Sequence, residues 1–240
     1  MCTLEKQGSI FIVTLTGLNE HRLNPDLLDS IHSALHQVRS QSSTSTALIT
    51  TAHGKFFSNG YDLAWAKAQD TAHRFKLMST KLRSLIADLM SLPVPTIAAV
   101  TGHASAAGCI LALSHDYVLM RNDRGFLYMS ELDIGLPPPA WFVAVIRSKV
   151  GSPAATREVL LRAAKLSAER AEGMGVVEAV EGGAEETFAA AVRLGNELVG
   201  RRWDGHVYAQ IRMAVFDDLM SAVRCDEETD SGVAKVASRL

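Results

Sequence analysis

The stretch from Val100 to Asp116, VTGHASAAGCILALSHD, constrains this chain more than any other. It opens at the end of an apolar strand, Pro95–Val100. It then crosses Gly102, Ala104, Ser105, Ala106, Ala107 and Gly108, and enters an apolar helix. Small residues at a strand-to-helix corner let another chain or a ligand approach the backbone closely. The first helical turn carries N–H groups without intrahelical partners, and the helix dipole adds positive character there. Two readings follow from this stretch alone. It is a tightly packed corner, or it is a turn that holds a phosphate, a carboxylate or a developing oxyanion.

The flanking sequence alternates between strand and helix. Ser9–Thr16 is rich in β-branched residues and predicts a first strand. Asn24-Pro25 supplies an N-cap and a first-turn proline for a helix to Arg39, with Leu27, Leu28, Ile31, Leu35 and Val38 at helical spacing. Ser40–Ser45 reads as a polar loop and Ala47–Thr51 as a short buried strand. His53–Leu63 is rich in turn residues. Ala72–Ser91 predicts a long helix, closed by Pro93 and Pro95. Tyr117–Arg121 and Phe126–Met129 predict two short strands. Helices are expected at Ala140–Val150, Pro153–Arg162 and Ser167–Glu172, a strand at Val176–Val180, and helices again at Ala184–Val199 and His206–Val223. The alternation predicts an α/β fold of stacked strand–helix turns followed by a helical C-terminal region.

Composition removes several function classes. The chain has 240 residues, 48% hydrophobic and 21% charged, with a net charge of −2. That balance supports a sizeable core and lacks the basic footprint of a nucleic-acid binder. No apolar run approaches the ~20 residues that span a bilayer. The N-terminus, MCTLEKQGS, has neither a secretory apolar region nor an Arg-rich presequence. Cys2, Cys109 and Cys225 are too few and too widely spaced for a disulfide framework or a zinc motif, which favours a reducing compartment. The C-terminal Ser238-Arg239-Leu240 differs from the Ser-Lys-Leu peroxisomal address by one basic-for-basic change.

Three segments carry candidate chemistry. The first is Phe56-Phe57-Ser58-Asn59-Gly60-Tyr61-Asp62-Leu63, a strand, a glycine turn and a short helix start whose N–H groups offer a second anion donor. The second is the opening stretch. The third is Ser130–Pro137, where Glu131 and Asp133 sit among apolar residues just after a strand. An acid in such surroundings has a raised pKa and suits proton transfer.

In order and spacing, KFFSNGYDL, PTIAAVTGHASAAGCILALSHDYVLM and FLYMSELDIGLP together resemble the crotonase (enoyl-CoA hydratase/isomerase) superfamily, over about Leu4 to Val199. The resemblance implies a spiral of ββα turns, with residues 1–199 as an acyl-CoA-binding core and 200–240 as a C-terminal helical region and signal tail. It implies a thioester oxygen held between two backbone N–H groups, those of Tyr61 and Ala107, with Gly108 as the near alternative to Ala107. It places the acid at Glu131. It also assigns Ser58, Asn59, Gly60, Asp62, Leu63, Ile110, Leu136, Trp141 and Phe142 to substrate binding.

Hydratases of this superfamily carry a second glutamate three residues after the second donor, and here that position is Ile110. Holding and activating water suits two carboxylates, whereas shifting a double bond requires one base and no water. The Leu136-Pro137-Pro138-Pro139-Ala140-Trp141-Phe142 segment replaces the glycine-rich loop usual in hydratases. In both respects the chain is similar to the monofunctional Δ3,Δ2-enoyl-CoA isomerases, above all the short plant peroxisomal ones. The resemblance therefore implies conversion of 3-enoyl-CoA to 2-trans-enoyl-CoA in fatty-acid β-oxidation, with Glu131 as proton shuttle. It implies no cofactor beyond the coenzyme A of the substrate, assembly as a homotrimer or hexamer, and peroxisomal import through Ser238, Arg239 and Leu240. The alternatives are a hydratase or thioester hydrolase on the same fold, or a non-catalytic acyl-CoA-binding protein.

Other groupings carry less. His32 and His36 stand at i, i+4 on a helix, but no acid follows in the HExxH pattern and no metal is assigned. Ser114-His115-Asp116 has triad residue types, yet adjacent residues cannot form a triad's geometry. His103 reads as a packing residue near the proposed hole, Asp62 as a helix cap, and Arg201-Arg202 as a solvated pair. Asp133 is an alternative base if the segment is extended, because it would then share a face with Glu131.

Overall fold

The computed structural model describes residues 1–17, 20–42 and 45–225. Residues 43 and 44 of the expected loop, and the tail with Ser238, Arg239 and Leu240, lie outside the described residues.

Nine strands form two sheets among the described residues. The larger has the order β1 (Cys2–Gln7), β2 (Ile10–Leu15), β3 (Ala47–Ala52), β5 (Thr96–Val100), β7 (Tyr117–Arg121) and β9 (Ala179–Glu181). β1 runs antiparallel to β2 and every other pair is parallel. β2, β3 and β5 are buried along their whole length, as expected for near-continuous apolar runs covered on both faces. The smaller sheet joins β4 (Phe56–Ser58), β6 (His103–Ser105) and β8 (Leu127–Tyr128), all parallel.

The chain thus sends one strand to the large sheet, turns, sends a short strand to the small sheet, and then enters a helix. It does so three times. β3 and β4 lead to α2 (Leu63–Lys67) and α3 (Thr71–Met90), β5 and β6 to α4 (Ala107–Leu113), and β7 and β8 to α5 (Ala140–Lys149). This repeated ββα turn is the spiral that the resemblance implied.

The core has two layers. α1 (Pro25–Gln41), α3, α4 and α5 bury Ile31, Leu35, Leu82, Ile86, Leu111 and Val145 in the main cluster. The opposite face of the large sheet, Ile12, Ile49, Ile97 and Leu119, is covered by Ala190, Ala191 and Leu198 of α8 (Ala184–Gly200).

Four local outcomes differ from the sequence expectation. Cys2–Gln7 is a strand, made so by the tight turn at Gly8 (φ 60°) that folds it back along β2. The helix expected over 153–162 is α6 (Pro153–Thr156) running into a π-helical turn, Arg157–Leu161. The strand expected from Val176 begins at Ala179, because Val176 N–H is taken by Ala171 O at the end of α7 (Ala168–Gly173). The helix expected over 206–223 is two, α9 (Gly205–Val215) and α10 (Asp217–Arg224), broken at Phe216, whose ring lies 3.9 Å from Lys149 Nζ.

These last helices are tied to the rest. Arg212 is buried and donates to the carbonyls of Met90, Leu92 and Val94 and to both oxygens of Asp116, at 2.6–3.1 Å. Leu219, Met220 and Val223 of α10 join the main core.

Candidate active site

α4 begins without a side-chain cap. Its N-cap residue, Ala106, takes φ 50° and ψ −124°, a conformation that costs a non-glycine residue about 1–3 kcal/mol. Ala106 N–H is used by Tyr128 O at 2.7 Å, which pins β6 to β8, and Ala106 O accepts from Ile110 N–H. The N–H groups of Ala107 and Gly108 therefore stand in the first turn, at the positive end of the helix.

The loop after β4 is pressed against this corner. A side-chain carbon at Gly60 (φ 74°) would lie 3.0 Å from Ser105 O and 3.3 Å from Ala107 N. One at Gly108 would lie 2.3 Å from Ser58 O. Both glycines are required by close backbone approach. Gly108 makes the contact between α4 and β4.

The loop is held from its other side by residues 20–23. Leu23 N–H donates to Gly60 O at 2.8 Å and Asp62 N–H to Leu23 O at 3.3 Å. This bridge uses the groups flanking Tyr61, so Tyr61 N–H points away from Leu23. Asn59 N–H donates to Glu20 O, Asn59 Nδ2 to Glu20 Oε2, and Ser58 Oγ to His21 O. Asp62 caps α2 through Trp65 N–H at 2.9 Å, the role expected for it.

Glu131 follows β8 in a compact turn in which Ile134 N–H donates to Ser130 O and Leu136 N–H to Glu131 O. The carboxyl is 8% exposed and its Oε2 is buried with no hydrogen-bond partner. Burial pushes its pKa up to about 7, opposed by a hydrogen bond to its own backbone. Because the segment is a turn and not extended, Asp133 does not share the face of Glu131. Its carboxylate leaves the cleft and accepts from the Tyr128 hydroxyl. Cys109 lies near Glu131, and burial, reinforced by that carboxyl's charge, pushes its thiol up to about 12. It is an inert packed thiol.

Glu131 lines a cleft of about 300 Å³. Of the residues expected to bind substrate, Asn59, Leu63, Leu136 and Phe142 line it, together with Tyr61. Ser58, Gly60, Ala107, Gly108, Ile110 and Trp141 are buried and do not line it, and Asp62 faces a neighbouring cavity with Glu20, Arg22 and Asn24. Ile110 is fully buried in the main core, and Trp141 packs edge-on against Phe142 with ring centroids 4.4 Å apart.

Sequence reasoning missed Arg22, Phe75 and Ile134 as wall residues. Phe75 continues the apolar stripe of α3, and nothing in the spacing separates it from the core positions. Ala106 also lines the cleft, with Ser130 and Pro137–Pro139.

The remaining groupings are structural. His103 packs between Phe56 and Phe126, with centroids at 5.2 and 4.0 Å. His115 Nδ1 faces the carbonyls of Leu111 and Ala112, so Nε2 accepts from Thr50 Oγ1 at 2.8 Å, and burial lowers its pKa to about 4. With Ser114 bonded to Ile110 O and Asp116 to Arg212, no triad forms.

A family model for enoyl-CoA hydratase/isomerase matches residues 5–227. The chain belongs to this family. It is 58% identical to enoyl-CoA delta isomerase 1, peroxisomal, of Arabidopsis thaliana, over 98% of each chain. It is 52% identical to enoyl-CoA delta isomerase 2, peroxisomal, of the same plant, over 91% of this chain and 93% of that one. Among solved structures, a probable enoyl-CoA hydratase from Mycobacterium tuberculosis H37Rv superposes with a TM-score of 0.85 at 21% identity, over 99% of this chain and 94% of that one. This structural likeness establishes the crotonase fold.

Proposed function

We propose that the protein is a Δ3,Δ2-enoyl-CoA isomerase that converts 3-enoyl-CoA to 2-trans-enoyl-CoA. The observation that carries the reading is the single buried carboxyl of Glu131, unpartnered at Oε2, in a cleft that also holds the uncapped start of α4. The substrate thioester oxygen sits between Tyr61 N–H and Ala107 N–H. Glu131 takes the proton from C2, and the electron pair of that C–H bond moves into an enolate whose charge falls on the thioester oxygen. Each backbone donor stabilises that charge by roughly 3–4 kcal/mol. The proton returns at C4 as the double bond moves from C3–C4 to C2–C3, so the reaction is redox-neutral and consumes no water.

Ile110 supports isomerisation over hydration, because no second carboxylate stands at that position to hold a water. Leu63, Phe75, Leu136 and Phe142 make the apolar wall that receives the acyl chain and excludes solvent. The reading calls for no cofactor, since coenzyme A enters as part of the substrate. It includes self-association as a trimer or hexamer, supported by the exposed Val207, Ile211 and Val215 of α9. It also includes peroxisomal import through Ser238, Arg239 and Leu240, supported by the names of the Arabidopsis relatives.

The test is one preparation assayed two ways. Isomerisation of 3-enoyl-CoA is expected to dominate, with hydration of 2-enoyl-CoA in labelled water slower by at least about 100-fold. Comparable hydration would move the assignment to a hydratase. Acyl-CoA binding without turnover of either substrate would leave a binding protein.

A further inference from the structure

The sequence offered His32 and His36 without an acidic companion. The structure supplies one from a different helix. α1 and α3 lie side by side, and Asp88, near the end of α3, reaches the two histidines of α1. One ligand atom from each of His32, His36 and Asp88 lies within 4.8 Å of the others, and among the described residues this is the one such group. We propose that these three side chains form a site for a divalent transition-metal ion of the zinc type.

The geometry is close to what such an ion takes. Bonds of about 2.0–2.2 Å in a tetrahedron place donor atoms roughly 3.5 Å apart. His32 Nε2 and the Asp88 carboxylate are already in hydrogen-bond contact. The His32 and His36 rings stack with centroids 4.8 Å apart at 27°. His36 is exposed, and closing from 4.8 Å to that spacing takes a shift of about 1 Å. The ion takes the place of the proton between His32 and Asp88, and that proton moves to the other ring nitrogen.

The backbone around the site is fixed. Asp88 O accepts from Arg39 Nη2 at 3.0 Å and from Ser91 Oγ at 3.1 Å. The neighbouring cations are engaged elsewhere, Lys81 with Asp29 at 2.6 Å and Arg39 with the Asp88 and Ser91 carbonyls. Three protein ligands with one side open to solvent leave a fourth position for water. Two imidazoles and one carboxylate suit zinc, nickel or copper, whereas magnesium and calcium take oxygen ligands. None of the three residues lines the reactive cleft, so the site is separate from it and joins α1 to α3.

The test is calorimetric titration of the untagged full chain, stripped of metal, with zinc chloride and with magnesium chloride. Zinc is expected to bind one equivalent with a dissociation constant at or below about 10 μM, raising the melting temperature, and magnesium to give no heat. His36→Gln, an exposed change that leaves the His32–Asp88 pair intact, is expected to weaken zinc by at least about tenfold, and Asp88→Asn likewise. The proposal is overturned by no zinc binding at about 1 mM, or by unchanged binding in both variants with the fold intact by circular dichroism.

Discussion

In the proposed site Gly60, Ala106, Ala107 and Gly108 form the backbone corner beside the cleft, whereas Glu131 brings a side chain into it, and different forces hold the two. The backbone end is a matter of packing. Ser58 O stands where a side chain on Gly108 would be, and Ala107 N lies within 3.3 Å of where one on Gly60 would be. The donors use no chemistry of their own side chains, only small residues at Gly60 and Gly108 where backbone meets backbone. The proton end depends on solvation. Glu131 is made basic by burial among apolar neighbours from three separate segments, and among the described residues no cation pairs with it. A backbone site is therefore lost by adding atoms, and a desolvated acid by removing one charge or letting in water.

The largest expected effect is at the proton end. Glu131→Gln should lower kcat by about 10³-fold or more while acyl-CoA binding changes by less than about threefold. Turnover measured beside binding of a saturated acyl-CoA checks this, and full activity in the variant would move the base elsewhere. Next comes the backbone end. Gly108→Ala forces α4 away from β4, with an expected loss of about 10²-fold in kcat/KM and about 2–3 kcal/mol of stability. Kinetics and thermal melts on one preparation separate the two contributions.

Glu131→Gln should also affect stability, in the opposite sense. The folded pKa, about 7, lies above the ordinary value of 4.5, so the native state holds a proton that the unfolded chain releases between those values. Below about pH 4.5 the buried carboxyl is neutral in both states and carries no penalty. As pH rises to about 7 the penalty grows, and it levels above that at roughly 3 kcal/mol. The variant should therefore melt higher than the parent at pH 8 and equally at pH 4.5, as pH-resolved melts will record. The smallest effect belongs to Asp133, which faces Tyr128 outside the cleft. Asp133→Asn should leave kcat/KM within about threefold of the parent, and a loss as large as that of Glu131→Gln would mean that both acids serve.

This contrast also governs what could be read in the sequence. The fold was legible because β-branched runs, Asn24-Pro25 and the apolar stripe of α3 each act locally. The backbone end was legible as a cluster of small residues, since close approach excludes larger ones. The φ of Ala106 was not, because alanine carries no turn signal and the conformation is imposed by β6 pairing with β8. Glu131 alone is a carboxylate in a proline-rich loop. Its proton affinity arises only when Phe75, Leu136, Pro137–Pro139 and Phe142 meet around it, so the family resemblance carried that assignment. Asp88 was invisible beside His32 for a similar reason, since 56 residues separate them in sequence.

Desolvation sets the proton affinity of Glu131, and the pH dependence of kcat/KM for 3-enoyl-CoA reads it directly. The rate should rise tenfold per pH unit below about pH 7 and then level, following the ionisation of the carboxyl in the free enzyme. A profile already level from pH 5 upward would mean an ordinary exposed acid, and would contradict it.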